Sequence, residues 1–118
     1  MNQILKKGIP LSVIFIIVFS ASVLAAEEEI VQVQGLMMAL DLKKNAMIVN
    51  EKIFAFNQNT TFHNDKGAAI TIDKLRPKMW VYIEGLKDKT NKRIIARKIY
   101  LLPKYIEEKE KRLYPFIQ

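Results

Sequence analysis

The N-terminal segment decides which residues of this chain can belong to a folded domain. Two early lysines are followed by an uncharged stretch from Gly8 to Ala26, which becomes rich in small residues before three glutamates begin. A basic start, an apolar centre and a small-residue end are typical of a secretory signal peptide. We therefore predict that residues 1–26 are a signal peptide, cleaved after Ala25 or Ala26, and that the domain begins at residue 27.

An uncleaved membrane anchor is the alternative reading of this segment. The uncharged stretch approaches the roughly 20 residues that cross a bilayer, but Pro10 and the small-residue end favour cleavage. Under both interpretations Lys6 and Lys7 hold the N-terminus inside, which predicts a domain outside the cytoplasm, either periplasmic or extracellular. If the signal is cleaved, we expect no membrane span to remain. The chain contains no cysteine, which excludes a disulfide framework and a lipidated cysteine.

The charge of the chain is basic, with 19 Lys and Arg against 12 Asp and Glu and a formal net charge of +7. A basic domain can attract nucleic acid, anionic lipid or acidic polysaccharide, or its charge can simply keep it soluble. Export weakens nucleic acid as a partner. It favours an anionic polymer of the cell envelope or another envelope protein.

The residues that most enzymes need are scarce. His63 is the only histidine, and every serine of the chain lies in the predicted signal peptide, at Ser12, Ser20 and Ser22. A zinc or transition-metal site needs more nitrogen or sulfur ligands than this, and a nucleophile with its base is equally hard to assemble. We predict a protein that is not an enzyme and that has no metal, no cofactor and no catalytic residues.

Short runs of alternating apolar residues, separated by turn residues, predict a mainly β domain over residues 27–102. The predicted strands are Ile30–Leu42, Ala46–Val49, Ile53–Phe56, Thr61–Phe62, Met79–Gly85 and Arg93–Leu102. Breaks in the alternation predict one bulge at Gly35–Met37 and another near Arg97–Lys98. In the fifth run the alternation places Met79, Val81 and Ile83 inward and Trp80, Tyr82 and Glu84 outward.

A single helical turn, capped by Asp73 and ended by Pro77, is expected before the fifth run. A small sheet must close or cover its edges. We therefore predict a five- to six-stranded, OB-like, partly open barrel.

The tail at residues 103–118 is rich in Glu and Lys and predicts a short solvated helix. Its expected i,i+4 pairs are Glu107 with Lys111 and Glu108 with Arg112. We expect its apolar residues to pack back on the barrel, namely Tyr105, Ile106, Leu113, Phe116 and Ile117.

A set of spaced strand and turn residues also carries a family resemblance: Gly35, Asp41, Met47–Asn50, Phe54, Thr61–Phe62, Gly67, Ile72–Pro77, Val81–Gly85 and Ile95–Ile99. Over about residues 31–102 this pattern resembles a family of small exported bacterial domains of unknown function with an OB-like barrel. Lys78 stands where such domains usually have a glycine after the proline. The resemblance implies a fold and an exported setting, and it implies no activity and no functional residues.

The candidate binding site is the basic hairpin, which we define as Lys87, Lys89, Lys92, Arg93, Arg97 and Lys98. In an OB-like barrel the connection between the fourth and fifth strands borders the ligand groove. Trp80, Tyr82 and Tyr100 are candidate stacking surfaces beside these cations. The competing reading is that the tail covers the aromatic residues and that the lysines only solvate a turn.

These observations predict an exported, non-enzymatic binding or interaction module of the bacterial cell envelope, which recognises an anionic polymer through the basic hairpin. The alternative is an accessory subunit that docks onto a larger envelope assembly through its barrel or its C-terminal tail.

Overall fold

The structure, a computed structural model, describes residues 28–117, so the predicted signal peptide lies outside the described residues. The described part is mainly β, as predicted. Each predicted strand is present, with ends that differ by up to three residues. The strands are β1 (Glu28–Asp41), β2 (Ala46–Val49), β3 (Lys52–Ala55), β4 (Thr61–His63), β5 (Trp80–Asp88) and β6 (Ile94–Leu102). Two 3₁₀ helices cover Ile72–Lys74 and Glu108–Leu113. None of the helices within residues 28–117 has the length and apolar character needed to span a bilayer.

The six strands form one mixed sheet in the order β3-β2-β1-β5-β6-β4, with a further pairing between β3 and β6. β1 is shared by two neighbours, because its residues 28–36 pair with β5 and its residues 37–41 pair with β2. The parallel β3–β6 pairing joins Phe54 to Ile94 and Ala55 to Ile95. This short contact completes a ring of hydrogen-bonded strands. Farther along β6, β4 adds a second parallel partner.

The first bulge lies slightly beyond its predicted position. The β1–β2 register shifts between Met37 and Ala39, which makes Met38 the additional residue. Gly35 has a different role, since a Cβ at this position would overlap the side chain of Asn50. The Asn50 amide donates a hydrogen bond to the Gln34 carbonyl at 3.1 Å. Glycine therefore allows the β2–β3 turn to pack against β1.

The second bulge lies where the sequence predicts it. On β5, Glu84 pairs with Lys98 while the next residue, Gly85, pairs with Ala96. Arg97 is therefore the additional residue on β6. A Cβ at Gly85 would lie 2.6 Å from the backbone oxygen of Ile95, so the close approach of the two strands at this bulge requires glycine.

The main core lies inside the ring, and the alternation in β5 is confirmed. Val81 and Ile83 are fully buried there, and Met79 packs against them. The remaining core residues come from every side of the ring: Met37, Met47, Val49, Phe54, Phe56, Leu75, Ile94, Ala96 and Ile99. A second cluster lies on the outer face of β5 and β6, where Tyr82 and Tyr100 pack against the C-terminal tail.

The cap of the first 3₁₀ helix was predicted wrongly. Thr71 occupies the N-cap position, and Asp73 lies within the first turn. The Thr71 hydroxyl donates to the Asp73 carboxylate, and this hydrogen bond is the main reason that the pKa of Asp73 is lowered. The helix ends at Lys74, three residues before Pro77, because Leu75 is already extended and its side chain is buried in the core.

The helical part of the tail is a six-residue 3₁₀ helix, begun by a capping box between Glu107 and Glu110. A 3₁₀ helix has three residues per turn, so i,i+3 side chains face each other. Glu108 accordingly pairs with Lys111 at 2.8 Å, and Glu110 pairs with Lys104 at 2.7 Å. The predicted i,i+4 pairs, Glu107 with Lys111 and Glu108 with Arg112, are not found within residues 28–117.

Lys78 adopts the left-handed backbone conformation, with φ of 73°. Its N–H donates to the Met37 carbonyl at 2.6 Å, and the Met37 N–H donates to the Met79 carbonyl at 2.8 Å. These bonds fix the turn that leads into β5. The geometry gives a physical reason for a glycine preference at this position, because glycine adopts positive φ without a steric penalty.

We expect Lys78→Gly to stabilise the protein. The left-handed conformation costs a residue with a Cβ roughly 1–2 kcal/mol, and the entropy that glycine loses on folding offsets roughly 0.5–1 kcal/mol of that gain. The free energy of unfolding, measured in urea through Trp80 fluorescence, should rise by about 0.5–1 kcal/mol. Lys74→Gly, at an exposed position without positive φ, is the control and should lower it. A Lys78→Gly protein less stable than the parent would contradict this account of the turn.

Candidate binding site at the basic hairpin

The connection between β5 and β6 is a tight, internally hydrogen-bonded turn. The Asp88 N–H donates to the Arg93 carbonyl at 2.8 Å, and the Lys92 N–H donates to the Asp88 carbonyl at 2.7 Å. The Asp88 carboxylate accepts from the Thr90 N–H at 2.8 Å, and the Asn91 side-chain oxygen accepts from the Arg93 N–H at 2.9 Å. These bonds hold the tip of the basic hairpin in one conformation.

The six cations of the basic hairpin lie along this turn and the two strands that it joins. Lys87 on β5 is half-buried, whereas the other five are exposed. Within the described residues the two ion pairs both belong to the tail. None of the six hairpin cations is therefore paired with a described carboxylate. Their charges add to a positive surface that is available to an anionic partner.

A cleft of about 540 Å³ lies beside the hairpin, between β5, β6 and the loop that follows β3. The volume falls within the range of small-ligand pockets. Two of the six hairpin cations, Arg93 and Arg97, line it together with the acidic residues Glu28 and Asp88. The other polar lining residues are amides, and the apolar ones include Leu86 and Ile95, which face each other across β5 and β6.

The amide residues of the cleft are Asn57, Asn59 and Asn91. Sequence reasoning identified Arg93 and Arg97 and missed these residues. Asn57 and Asn59 belong to a polar stretch more than thirty residues earlier in the chain, and the parallel β3–β6 pairing brings that stretch beside the hairpin. No local sequence pattern indicates a pairing between two strands that are so far apart in the chain.

The three aromatic candidates lie at the other end of the same strands. Tyr82 is six residues from Asp88, about 20 Å along an extended strand. Tyr82 is 2 % exposed and Tyr100 is 8 % exposed. The Phe116 ring stacks on Tyr100, with ring centres 4.0 Å apart and planes 3° apart. The tail therefore covers the rings of Tyr82 and Tyr100, and these rings lie apart from the basic hairpin.

Trp80 is only half-buried, but it too contacts the tail. Its ring meets Tyr105 edge-on, with centres 5.8 Å apart. The His63 ring stacks on the Tyr100 ring, with ring centres 4.7 Å apart. No group of three or more His, Cys, Asp or Glu side chains that could hold a metal ion occurs in the part of the chain that the structure describes.

The tail is held against the sheet by hydrogen bonds as well as by packing. The Gln34 side chain accepts from the Ile106 N–H at 2.5 Å and donates to the Ile106 carbonyl at 3.1 Å. Ile106 is fully buried and Ile117 is 7 % exposed, whereas Tyr105 and Leu113 are exposed. Of the five apolar tail residues expected to pack back, Ile106, Phe116 and Ile117 do so. Tyr105 contacts Trp80 from an exposed position, and Leu113 stays exposed.

Comparisons with known protein families, with curated proteins and with solved structures find no match for this chain. The family resemblance described above therefore stays an expectation, and the binding site is interpreted from its own residues.

We expect the tail to behave as part of the folded domain. Ile106→Ala should lower the free energy of unfolding by about 2–4 kcal/mol, because it leaves a cavity between the tail and β5. The matched control, Leu113→Ala, removes an exposed side chain of the same tail and should change stability by less than about 0.5 kcal/mol. Equal, small effects of the two substitutions in urea unfolding would show that the tail does not cover Tyr82 and Tyr100.

Proposed function

We propose that this protein is an exported, non-enzymatic binding module of the bacterial cell envelope and that it takes an anionic envelope polymer at the basic hairpin. The observation that carries the proposal is that none of the six hairpin cations forms an ion pair with a described carboxylate, although Glu29 and Glu84 are opposite Lys87 and Lys98 in the sheet register. Such a cluster repels itself. A polyanion that neutralises the cluster would relieve this repulsion and gain charge-assisted hydrogen bonds.

We propose further that the ring of strands is OB-like. Leaving out the short β4, the ring runs β1-β2-β3-β6-β5 and back to β1, and a short 3₁₀ helix precedes the penultimate strand. The connection between the fourth and fifth strands of an OB-like fold borders its ligand groove. Because β4 is left out, the fourth and fifth strands of the ring are β5 and β6. Their connection is the basic hairpin, which supports the hairpin as the binding site.

The covered aromatic rings support a polymer other than nucleic acid. Proteins that bind single-stranded nucleic acids stack bases on exposed aromatic side chains. Tyr82 and Tyr100 are covered by the tail, and among residues 28–117 the lining of the cleft beside the hairpin contains no aromatic side chain. An anionic polymer without bases fits these residues better.

The test uses the full chain, expressed with its own N-terminal segment and purified after export. We expect it to bind polygalacturonate or poly(glycerol phosphate) at low salt and to release them as salt screens the charges. Changing all six hairpin cations to Gln should weaken the binding by at least about a hundredfold, since each charged contact contributes to it. Absence of binding to both polymers at low salt in the unmutated protein would end the proposal.

A second function, docking as an accessory subunit, is favoured by one separate observation. Ile48 and Ile53 face each other across β2 and β3 and are 36 % and 65 % exposed, and Met38 at the nearby bulge is 59 % exposed. Exposed apolar residues grouped in this way are typical of interaction surfaces.

The docking function predicts that Ile48→Thr combined with Ile53→Thr shifts the protein, in gently extracted envelopes, from a large assembly to its own size. Threonine keeps the β-branched shape that strands favour, so the fold should survive. Leu113→Ser tests the exposed surface of the tail in the same way without uncovering Tyr100. An unchanged size distribution for both variants would exclude these docking surfaces.

A further inference from the structure

We infer that the cleft beside the hairpin is a subsite for one carboxylated sugar unit of the polymer. This inference rests on the function proposed above. The inference goes beyond that function because it assigns the selectivity for the ligand to the residues of the cleft and not to the total charge of the hairpin.

The cleft is rich in hydrogen-bond donors that point to an acceptor-rich ligand. The Asn57 side-chain oxygen is already used by the Asn59 N–H at 2.8 Å, and the Asn91 side-chain oxygen is used by the Arg93 N–H at 2.9 Å. Both residues therefore keep their NH₂ groups for a ligand. Arg93 and Arg97, which line the cleft, carry planar guanidinium donors that match a carboxylate in a bidentate manner.

The two carboxylates of the cleft restrict the class of anion. Glu28 and Asp88 are opposite each other in the β1–β5 register, and like charges in this position are unfavourable in a bare sheet. A densely charged phosphate chain would add to that repulsion. Sugar hydroxyls would instead donate to the two carboxylates and accept from the amide NH₂ groups.

The floor of the cleft fits the C–H face of a sugar ring. Leu86 and Ile95, which line the cleft, pair across β5 and β6 and are half-buried. An aliphatic floor with polar groups around it is the usual construction of a small-ligand site. One carboxylate, several hydroxyls and an apolar ring face together describe a uronic acid unit.

The experiment compares two double variants that remove the same charge from the full-length exported protein. The probe is trigalacturonate, titrated by calorimetry, with maltotriose and a glycerol phosphate oligomer as the neutral and phosphate counterparts. Arg93→Gln with Arg97→Gln changes residues that line the cleft, and Lys89→Gln with Lys92→Gln changes cations of the turn that do not. Near-UV circular dichroism checks that each variant is folded.

We expect trigalacturonate to bind more tightly than either counterpart. The arginine pair should weaken its binding by at least about tenfold, and the lysine pair by less than about threefold. Asn59→Ala, which removes a lining amide without a change of charge, should weaken it by about threefold to tenfold.

Three results would overturn the inference while leaving the proposed function in place. They are equal losses in the two double variants, no loss with Asn59→Ala, and tighter binding of the phosphate oligomer. Failure of the unmutated protein to bind any anionic polymer at low salt would instead remove the proposed function itself.

Discussion

The parallel pairing of β3 with β6 closes the ring of strands and so determines where the core and the cleft lie. It consists of two residue pairs, Phe54 with Ile94 and Ala55 with Ile95. The pairing encloses the main core, because it joins the free side of the β2–β3 hairpin to the last strand. It also places the loop after β3 beside β6, where the Thr60 hydroxyl donates a buried hydrogen bond to the Ala96 carbonyl at 2.7 Å. The cleft beside the hairpin exists because of this placement.

The outer face of β5 and β6 is divided into two parts with different chemistry. At one end the tail packs on Tyr82 and Tyr100, and hydrogen bonds between Gln34 and Ile106 hold it there. At the other end the basic hairpin and its cleft are open. The bulge at Arg97 lies between the two parts, and Arg97 lines the cleft. The polar end is thus the part of this face where a partner can bind without displacing the tail.

The strands, their inward residues and the Arg97 bulge could be predicted because each depends on alternation within a few residues. The hairpin could be located for the same reason, since its cations are close together in the chain. Asn57 and Asn59 could not be assigned to the cleft, because the β3–β6 pairing that places them there is non-local. The sequence also could not distinguish a 3₁₀ helix from an α-helix in the tail. The same Glu and Lys residues suit either spacing, and the packing of Ile106 and Ile117 on the sheet is tertiary.

In the proposed function the open end of this face binds the polymer while the tail stays in place, and an NMR titration can follow the two ends separately. The chain has a single tryptophan, Trp80, which contacts the tail. Its indole N–H resonance therefore reports on the covered end, and the Nε–H resonances of Arg93 and Arg97 report on the cleft. On addition of trigalacturonate, we expect the arginine resonances to shift and the Trp80 resonance to stay unchanged. A shift of the Trp80 indole with unchanged arginine resonances would contradict it.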